Sequence, residues 1–259
     1  MKRFLTAWAL ALLPLVGFSQ SAPDTIRTFL AKQLRKLRPG MRQYLVFMQR
    51  GNRPQANNSA LWLRHVAIDA NRREVVISQQ WFSGDSTTNR QLLSRNRLDN
   101  FRPVYHRTSS RRAGVAAFNF LGDNIVGTDS VAGNRQAALV VPTPAPTLNW
   151  ELDLETFELL DYAPGKKFVL NFYHPGGPVL PKWYTYEVVG KETIPLIGAA
   201  TAECWKLRIN YDAQNYAVFW IATKTNEVLK MEEEYNGVRR YKVKLATPAV
   251  PAAARKPLS

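Results

Sequence analysis

The chain predicts a mainly β fold: a curved antiparallel meander sheet, open-barrel-like, with a short N-terminal helix and a short helix near residues 150–160. Three observations carry this. Six strand-like segments follow at meander spacing between Lys167 and Leu245. Further strand-like segments occupy Met41 to Val141, separated by stretches rich in Gly, Asn, Asp and Ser. Helical periodicity is confined to two short stretches.

Asp24 to Arg38 is the first of these. Ile26, Phe29, Leu30, Leu34 and Leu37 recur at helical spacing, with Arg27, Lys32, Arg35 and Lys36 opposite. Asp24 or Thr25 can cap its start, and Pro39-Gly40 stops it. Such a helix plugs or flanks a sheet, or lies on an anionic membrane; the first reading is preferred. Strands then follow at Gln43–Met48, Leu61–Ile68 and Glu74–Phe82. Weaker ones lie at Pro103–Arg107, Val115–Phe120, Asn124–Thr128 and Ala137–Val141. Ser83 to Asn100 is polar and only partly periodic, and reads as a mobile loop or a short helical turn.

Pro142-Thr143-Pro144-Ala145-Pro146 must be extended, because each ring fixes φ and removes a donor. It reads as a seam between two lobes or as a crossing between two parts of one sheet. Trp150 to Leu160 is the second short helix. The remaining strands are Lys167–Tyr173, Trp183–Val189, Cys204–Tyr211, Tyr216–Ala222, Glu227–Glu234 and Val238–Leu245. In the fourth from the end, Trp205, Leu207, Ile209 and Tyr211 alternate with Cys204, Lys206, Arg208 and Asn210, which gives one dry and one wet face. For the last hairpin, a three-residue loop would pair Met231 with Tyr241 and Glu232 with Arg240. A two-residue Asn236-Gly237 turn would set Met231 against Lys242. A one-residue slip inverts every side chain, so the apolar pattern predicts the three-residue loop with a bulge at Gly237.

The 259 residues divide into a signal peptide (1–19), a basic β-rich half (20–141), a Pro-rich seam (142–147), a meander (148–246) and a disordered Ala/Pro tail (247–259). Met1-Lys2-Arg3, the apolar run Phe4–Phe18 and small residues at Gly17 and Ser19 make the leader. Cleavage near Ser19/Gln20 would release a periplasmic or secreted protein, and with no cysteine at the site it is not a lipoprotein. No later apolar run approaches the ~20 residues of a membrane helix. The lone Cys204 excludes an intramolecular disulfide and reads as a half-buried strand residue.

The net charge of +15 is uneven. Ser21 to Ala145 holds 19 Lys and Arg against 7 Asp and Glu, while Pro146 to Ser259 holds 14 against 13. A one-signed half attracts anions. Outside the cytoplasm these are lipid phosphates, lipopolysaccharide or acidic polysaccharide, not nucleic acid. Because the arginines are dispersed, a merely solvated basic surface is the plainer reading.

Motifs for catalysis are missing. His65, His106 and His174 share no metal-ligand spacing, and there is no HExxH, CxxC, nucleophile elbow or phosphate-cradling glycine loop. No catalytic residue, metal or cofactor is assigned. Glu151, Asp153, Glu155 and Glu158 could hold a glycosidase pair, but read as a solvated helix face. Glu232-Glu233-Glu234 reads as a guarded outer strand and a partner for Arg239 and Arg240. His174-Pro175-Gly176-Gly177-Pro178 is either a tight connection or a rigid turn that presents His174 or bare backbone. His174, Gly176, Gly177, Trp183, Trp205 and Trp220 are the candidate ligand-binding residues, since strand aromatics pack a core or line a concave sheet.

One resemblance adds to this. Phe168-Val-Leu-Asn-Phe-Tyr-His-Pro-Gly-Gly, Tyr184-Thr-Tyr-Glu-Val-Val-Gly-Lys-Glu, Cys204-Trp-Lys-Leu, Phe219-Trp-Ile and Glu227-Val-Leu-Lys-Met-Glu together resemble the exported bacterial proteins of domain of unknown function family 3108. It covers about Trp150 to Leu245 well and Met41 to Val141 loosely. It implies an exported antiparallel β-protein with no established catalytic residues. The curved sheet of periplasmic lipoprotein carriers is a fold-level analogy. Three functions stay open: non-enzymatic binding or carrying of a lipid-like or anionic envelope ligand; an envelope-polymer hydrolase using His174 or His106 with a carboxylate; and a structural or assembly subunit.

Overall fold

The computed structural model describes residues 22–51, 58–196 and 200–246. The leader with its cleavage site and the Ala/Pro tail lie outside the described residues. The strands are β1 (Asp24–Ile26), β2 (Gly40–Arg50), β3 (Asn58–Asp69), β4 (Glu74–Ser83), β5 (Arg90–Arg97), β6 (Pro103–Ser110), β7 (Gly114–Phe120), β8 (Asn124–Gly127), β9 (Val140–Pro142), β10 (Leu148–Asn149), β11 (Lys167–Tyr173), β12 (Lys182–Pro195), β13 (Thr201–Asn210), β14 (Tyr216–Ala222), β15 (Val228–Tyr235) and β16 (Val238–Leu245). They form one 16-stranded sheet. Successive hairpins run from β11 to β16 and from β2 to β9, and β16 pairs antiparallel with β2 to join the two series. The β1 and β10 strands both add parallel to the free edge of β11.

The sheet curves until its margins, β9 and β11, approach. The proline stretch crosses the gap between them. Thr143 N–H donates to the Asp123 carbonyl at 2.7 Å, and the Asn171 side-chain amide donates to Pro146 O at 3.3 Å and Thr147 Oγ1 at 3.0 Å. Prolines suit this crossing, because a chain paired only at intervals has no use for a full ladder of donors. Tyr173 on one margin packs with Phe118, Ile125 and Val141 on the other. Gly176 sits at φ +77°, and a Cβ there would lie 2.8 Å from Phe118 Cζ, so the turn after β11 rests directly on β7.

The concave face is filled. A 3-10 turn (Trp150–Leu152) leads into α2 (Asp153–Glu158), which runs through the interior. Leu152, Leu154, Phe157, Leu159 and Leu160 are all buried there. Phe157 meets Phe172, Tyr186 and Phe219 with ring centroids 6.4, 5.0 and 4.7 Å away. At one end α1 (Ala31–Leu34) closes the bowl. Leu34 and Leu37 join the core, and Lys36 donates to the Leu160 carbonyl at 2.6 Å, which caps the end of α2.

Four expectations change. The N-terminal helix is a single turn, because Asp24–Ile26 satisfies its backbone along β11 instead; Phe29, Leu34 and Leu37 still face inward and Leu30 outward. Ser83–Asn100 contains a full strand, β5, where buried Leu92, Ser94 and Asn96 alternate; polar residues at two inward positions hid the period. The last hairpin is a two-residue turn with Asn236 at φ 51° and Gly237 at φ 70°, and Met231 lies opposite Lys242. The apolar-face argument failed because Lys242 is an inward residue: its ammonium lies 3.5 Å from Asp153 and 4.9 Å over the Trp62 ring. The glutamate run sits on β15 between two strands, not on an outer strand; Glu233 and Glu234 do pair with Arg240 and Arg239, at 2.7 and 2.6 Å.

Candidate functional site

The acidic segment read as a solvated helix face is buried. The inward alternation of β2, β3, β5 and β16 brings Arg42, Arg64, Arg90 and Lys242 to the concave wall, and the 3-10 turn and α2 present carboxylates to them. Arg64 is the best satisfied. Its Nε donates to Glu155 Oε1 at 3.0 Å, its Nη2 to Glu155 Oε2 and, at 3.0 Å, to the Glu151 carbonyl, and its Nη1 to Gln79 Oε1 at 2.9 Å. Arg42 donates to Glu158 at 2.7 Å, but Arg42 Nε and Nη1 and Glu158 Oε1 are buried without partners. Burial accordingly pushes the Glu158 carboxyl up to about 8, against the pull of Arg42. Lys242 is held below its ordinary value by burial, opposed by Asp153. Asn226, at φ 59° between β14 and β15, donates to the Glu158 and Leu160 carbonyls at 3.1 and 3.2 Å and completes the helix end.

At the opposite end of α2 the bowl opens. Trp62 and Trp81 stack at 3.8 Å, and the Arg90 guanidinium covers the other face of Trp81 at 4.4 Å. Arg90 also reaches Glu151 Oε1 at 3.3 Å and Thr108 Oγ1 at 3.2 Å. Glu151 is kept below its ordinary range although burial works against this, because Arg90 and then the two nearby histidines favour the anion. At the rim beside this stack lies an open groove of about 490 Å³. Phe82, Asn89, Gln91, Ser109 and Arg111 line it with Trp81 and Arg90. Neighbouring strand residues face opposite sides, so Trp81 and Arg90 belong to the inner face while Phe82, 43% exposed, and Gln91 belong to the outer one. The groove lies at the rim where β4 ends and β5 begins. Arg112 N–H donates to Thr87 O at 3.0 Å and ties the two loops that shape it.

Beneath Arg90 lies a sealed polar group. The Asn149 amide oxygen accepts from Glu151 N–H at 3.0 Å, which turns its NH₂ toward His106 Nδ1 at 3.2 Å. Nδ1 is therefore an acceptor, from Ser94 Oγ at 2.9 Å as well, and Nε2 carries the proton. Nε2 is buried without a partner, and burial lowers the imidazole to about 4. Ser94 and His106 are both 0% exposed and neither lines the groove. Among the described residues no His, Cys, Asp and Glu cluster could hold a metal ion, and no helix is long and apolar enough to cross a membrane.

The family described as "Protein of unknown function (DUF3108)" matches residues 58–244, well over half of the sequence. The chain belongs to the DUF3108 family. No curated protein matches it. Among solved structures it is similar to a β-barrel-like protein of domain of unknown function DUF1849 from Brucella abortus, at TM-score 0.56 and 10% identity, over 81% of this chain and 96% of that one. That likeness is one of fold. A DUF1329 family protein from Desulfovibrio piger aligns over 86% of this chain and 91% of that one at TM-score 0.28 and 8% identity.

The residues singled out in this DUF3108 sequence do not converge on one site. Trp205 packs inward against the core, its ring 6.4 Å from Tyr162. Trp220 is on the outer face with Ile194, Cys204 and Val218, under Lys230 at 4.5 Å. Trp183 lies opposite Asn171, with Arg27 at 5.7 Å over its ring. His174 is exposed and stacks on Trp150 at 4.7 Å. Gly177 N–H donates to His174 O at 2.8 Å, and with Gly176 it forms the tight connection already described. The groove residues Trp81, Phe82, Arg90 and Arg111 were missed. Their sequence signal is an aromatic pair at the end of one strand, and the arginines lie elsewhere, Arg90 at the start of β5 and Arg111 in the turn after β6.

Proposed function

We propose that this protein is a non-enzymatic binding protein that takes an anionic, ring-bearing ligand in the Trp81–Arg90–Arg111 groove. The observation that carries the reading is the groove itself: an open concavity of about 490 Å³ at the rim of the sheet, lined by exposed Phe82 from the outer face and by Arg90 and Arg111. Guanidinium forks suit carboxylate or phosphate, and an exposed aromatic face suits a sugar or other flat ring. Acidic saccharides and phosphorylated glycolipid headgroups carry both. The leader-like first residues make the bacterial envelope the proposed place of encounter. An acyl chain inside the bowl is not part of this reading, because α2 occupies the concave face. A hydrolase has less support: His106 is sealed beneath Arg90, and His174 lies against Trp150.

Native mass spectrometry of protein purified without denaturant from envelope extracts tests this. The wild type is expected to carry an adduct of defined mass that Phe82→Ala–Arg111→Ala loses. A chain that appears only at its own mass, or an adduct indifferent to that substitution, defeats it.

A further inference from the structure

We infer that the loop between β11 and β12 is a membrane-contact tip, which sets Val179 and Leu180 into the headgroup region of an anionic lipid surface. These two neighbours are 58% and 62% exposed, although each costs free energy in water. Pro178 and Pro181 bracket them, and fixed φ angles leave the tip little conformational freedom to lose on docking. The base of the loop is anchored. Gly176 rests on Phe118, and Tyr173 Oη donates to Gly177 O at 3.3 Å. Val179 and Leu180 therefore project from a fixed platform.

Behind the tip stands a collar of the composition that lipid interfaces favour. Arg27 covers Trp183 at 5.7 Å and Lys182 covers Tyr184 at 5.6 Å. From Tyr162 to Tyr186 the sequence has three lysines and no Asp or Glu, and the nearest acid on β11 or β12, Glu187, lies opposite Lys167 at the far end of the pair from the loop. Apolar tip first, aromatic rings and cations next, matches the order of hydrocarbon, interface and headgroup charge with depth. A protein partner is less well matched, because two apolar residues fall far short of the roughly 1,000 Å² a specific interface buries. Two side chains give weak, reversible attachment.

The test uses the full chain with a nitrobenzoxadiazole dye on Leu180→Cys, compared with the same dye on Ile68→Cys. Ile68 is 40% exposed near the end of β3, in the middle of the sheet and far from β11 in strand order, while Cys204 is buried and escapes native labelling. On vesicles of equal parts phosphatidylglycerol and phosphatidylcholine, the dye at position 180 is expected to brighten severalfold and shift to the blue, and the dye at 68 to stay unchanged. In the unlabelled chain, Val179→Ser–Leu180→Ser is expected to weaken the vesicle partition by about tenfold. It should leave thermal melting alone, since both residues are exposed. Phe82→Ala–Arg111→Ala should bind vesicles as the wild type does, which separates this proposal from the groove reading. A silent dye at 180, equal responses at 180 and 68, or vesicle binding lost with the groove and kept without the tip would overturn it. The Phe4–Phe18 run is common to every variant and cannot produce these differences.

Discussion

Replacing Glu155 by Gln should be among the most damaging single changes in this chain. Glu155 is 0% exposed and accepts two bonds from Arg64, itself 0% exposed. Gln keeps the volume and one acceptor. It removes the charge that compensates a guanidinium otherwise held only by Gln79 and the Glu151 carbonyl. Leaving a buried charge unpaired costs about 3–5 kcal/mol. Against a typical stability of about 5–15 kcal/mol, that is a third or more of the total. Arg64→Met should cost a similar amount by stranding Glu155. The double change Arg64→Met–Glu155→Leu should cost far less than the sum, because an apolar pair of similar volume replaces both ions. Urea denaturation followed by far-ultraviolet circular dichroism gives all four stabilities of the cycle. A Glu155→Gln loss below about 1 kcal/mol, the value of an exposed pair, would show that water reaches Arg64 and would refute a sealed interior.

Glu158 should behave differently from Glu155. Its raised proton affinity makes it largely a neutral acid near pH 6, so Glu158→Gln should cost less than about 1.5 kcal/mol in the same assay. Its folded value of about 8 exceeds the ordinary 4.5, so its contribution is complete below pH 4.5 and is lost as pH rises toward 8; Glu158→Gln should flatten the decline between pH 6.5 and 8. His106 acts with the opposite sign. Its folded value of about 4 lies below the ordinary 6.5, so stability falls with acid through that window by up to about 3 kcal/mol, and a pH series of melts on His106→Gln should lack the slope. Gly176→Ala meets both a φ of +77° and Phe118 Cζ at 2.8 Å, and should cost about 1–3 kcal/mol; no change in its melting temperature would mean the margins of the sheet are not in contact. Cys204 is 0% exposed and its thiol is pushed up to about 11 by burial, so iodoacetamide should modify it only after denaturation.

The meander was legible because β11, β14 and β16 are continuous patterned runs bounded by turn residues, and their ends fall where the pattern puts them. What misled was the assumption that inward means apolar. Ser94, Asn96, Arg64, Gln79 and Lys242 are all buried residues on strands, and each breaks the alternation that marks an inward face. The same assumption sent Glu155 and Glu158 to a solvated helix face and shifted the last hairpin by one residue. These are one error, since the acids and the cations are buried by each other. A cation on the wall is tolerable only with a carboxylate on the helix, and neither group announces its partner 91 or 116 residues away. The uneven charge of the two halves is therefore partly internal complementarity. Arg42, Arg64 and Arg90 from the basic half are matched by Glu158, Glu155 and Glu151 from the other. Hydrophobic burial of Leu152, Leu154, Phe157, Leu159 and Leu160 is non-directional and by itself discriminates weakly between neighbouring depths of α2 in the bowl. The Arg64–Glu155 and Arg90–Glu151 ion pairs, with the Arg42–Glu158 hydrogen bond further along the segment, penalise each wrong depth by leaving buried charges and donors unpaired at once. The pairs are thus better understood as setting the position of the plug than as the source of its affinity. That position decides what the open end can do: it sets Glu151 against Arg90, and so holds the guanidinium over Trp81 at the rim where the groove lies.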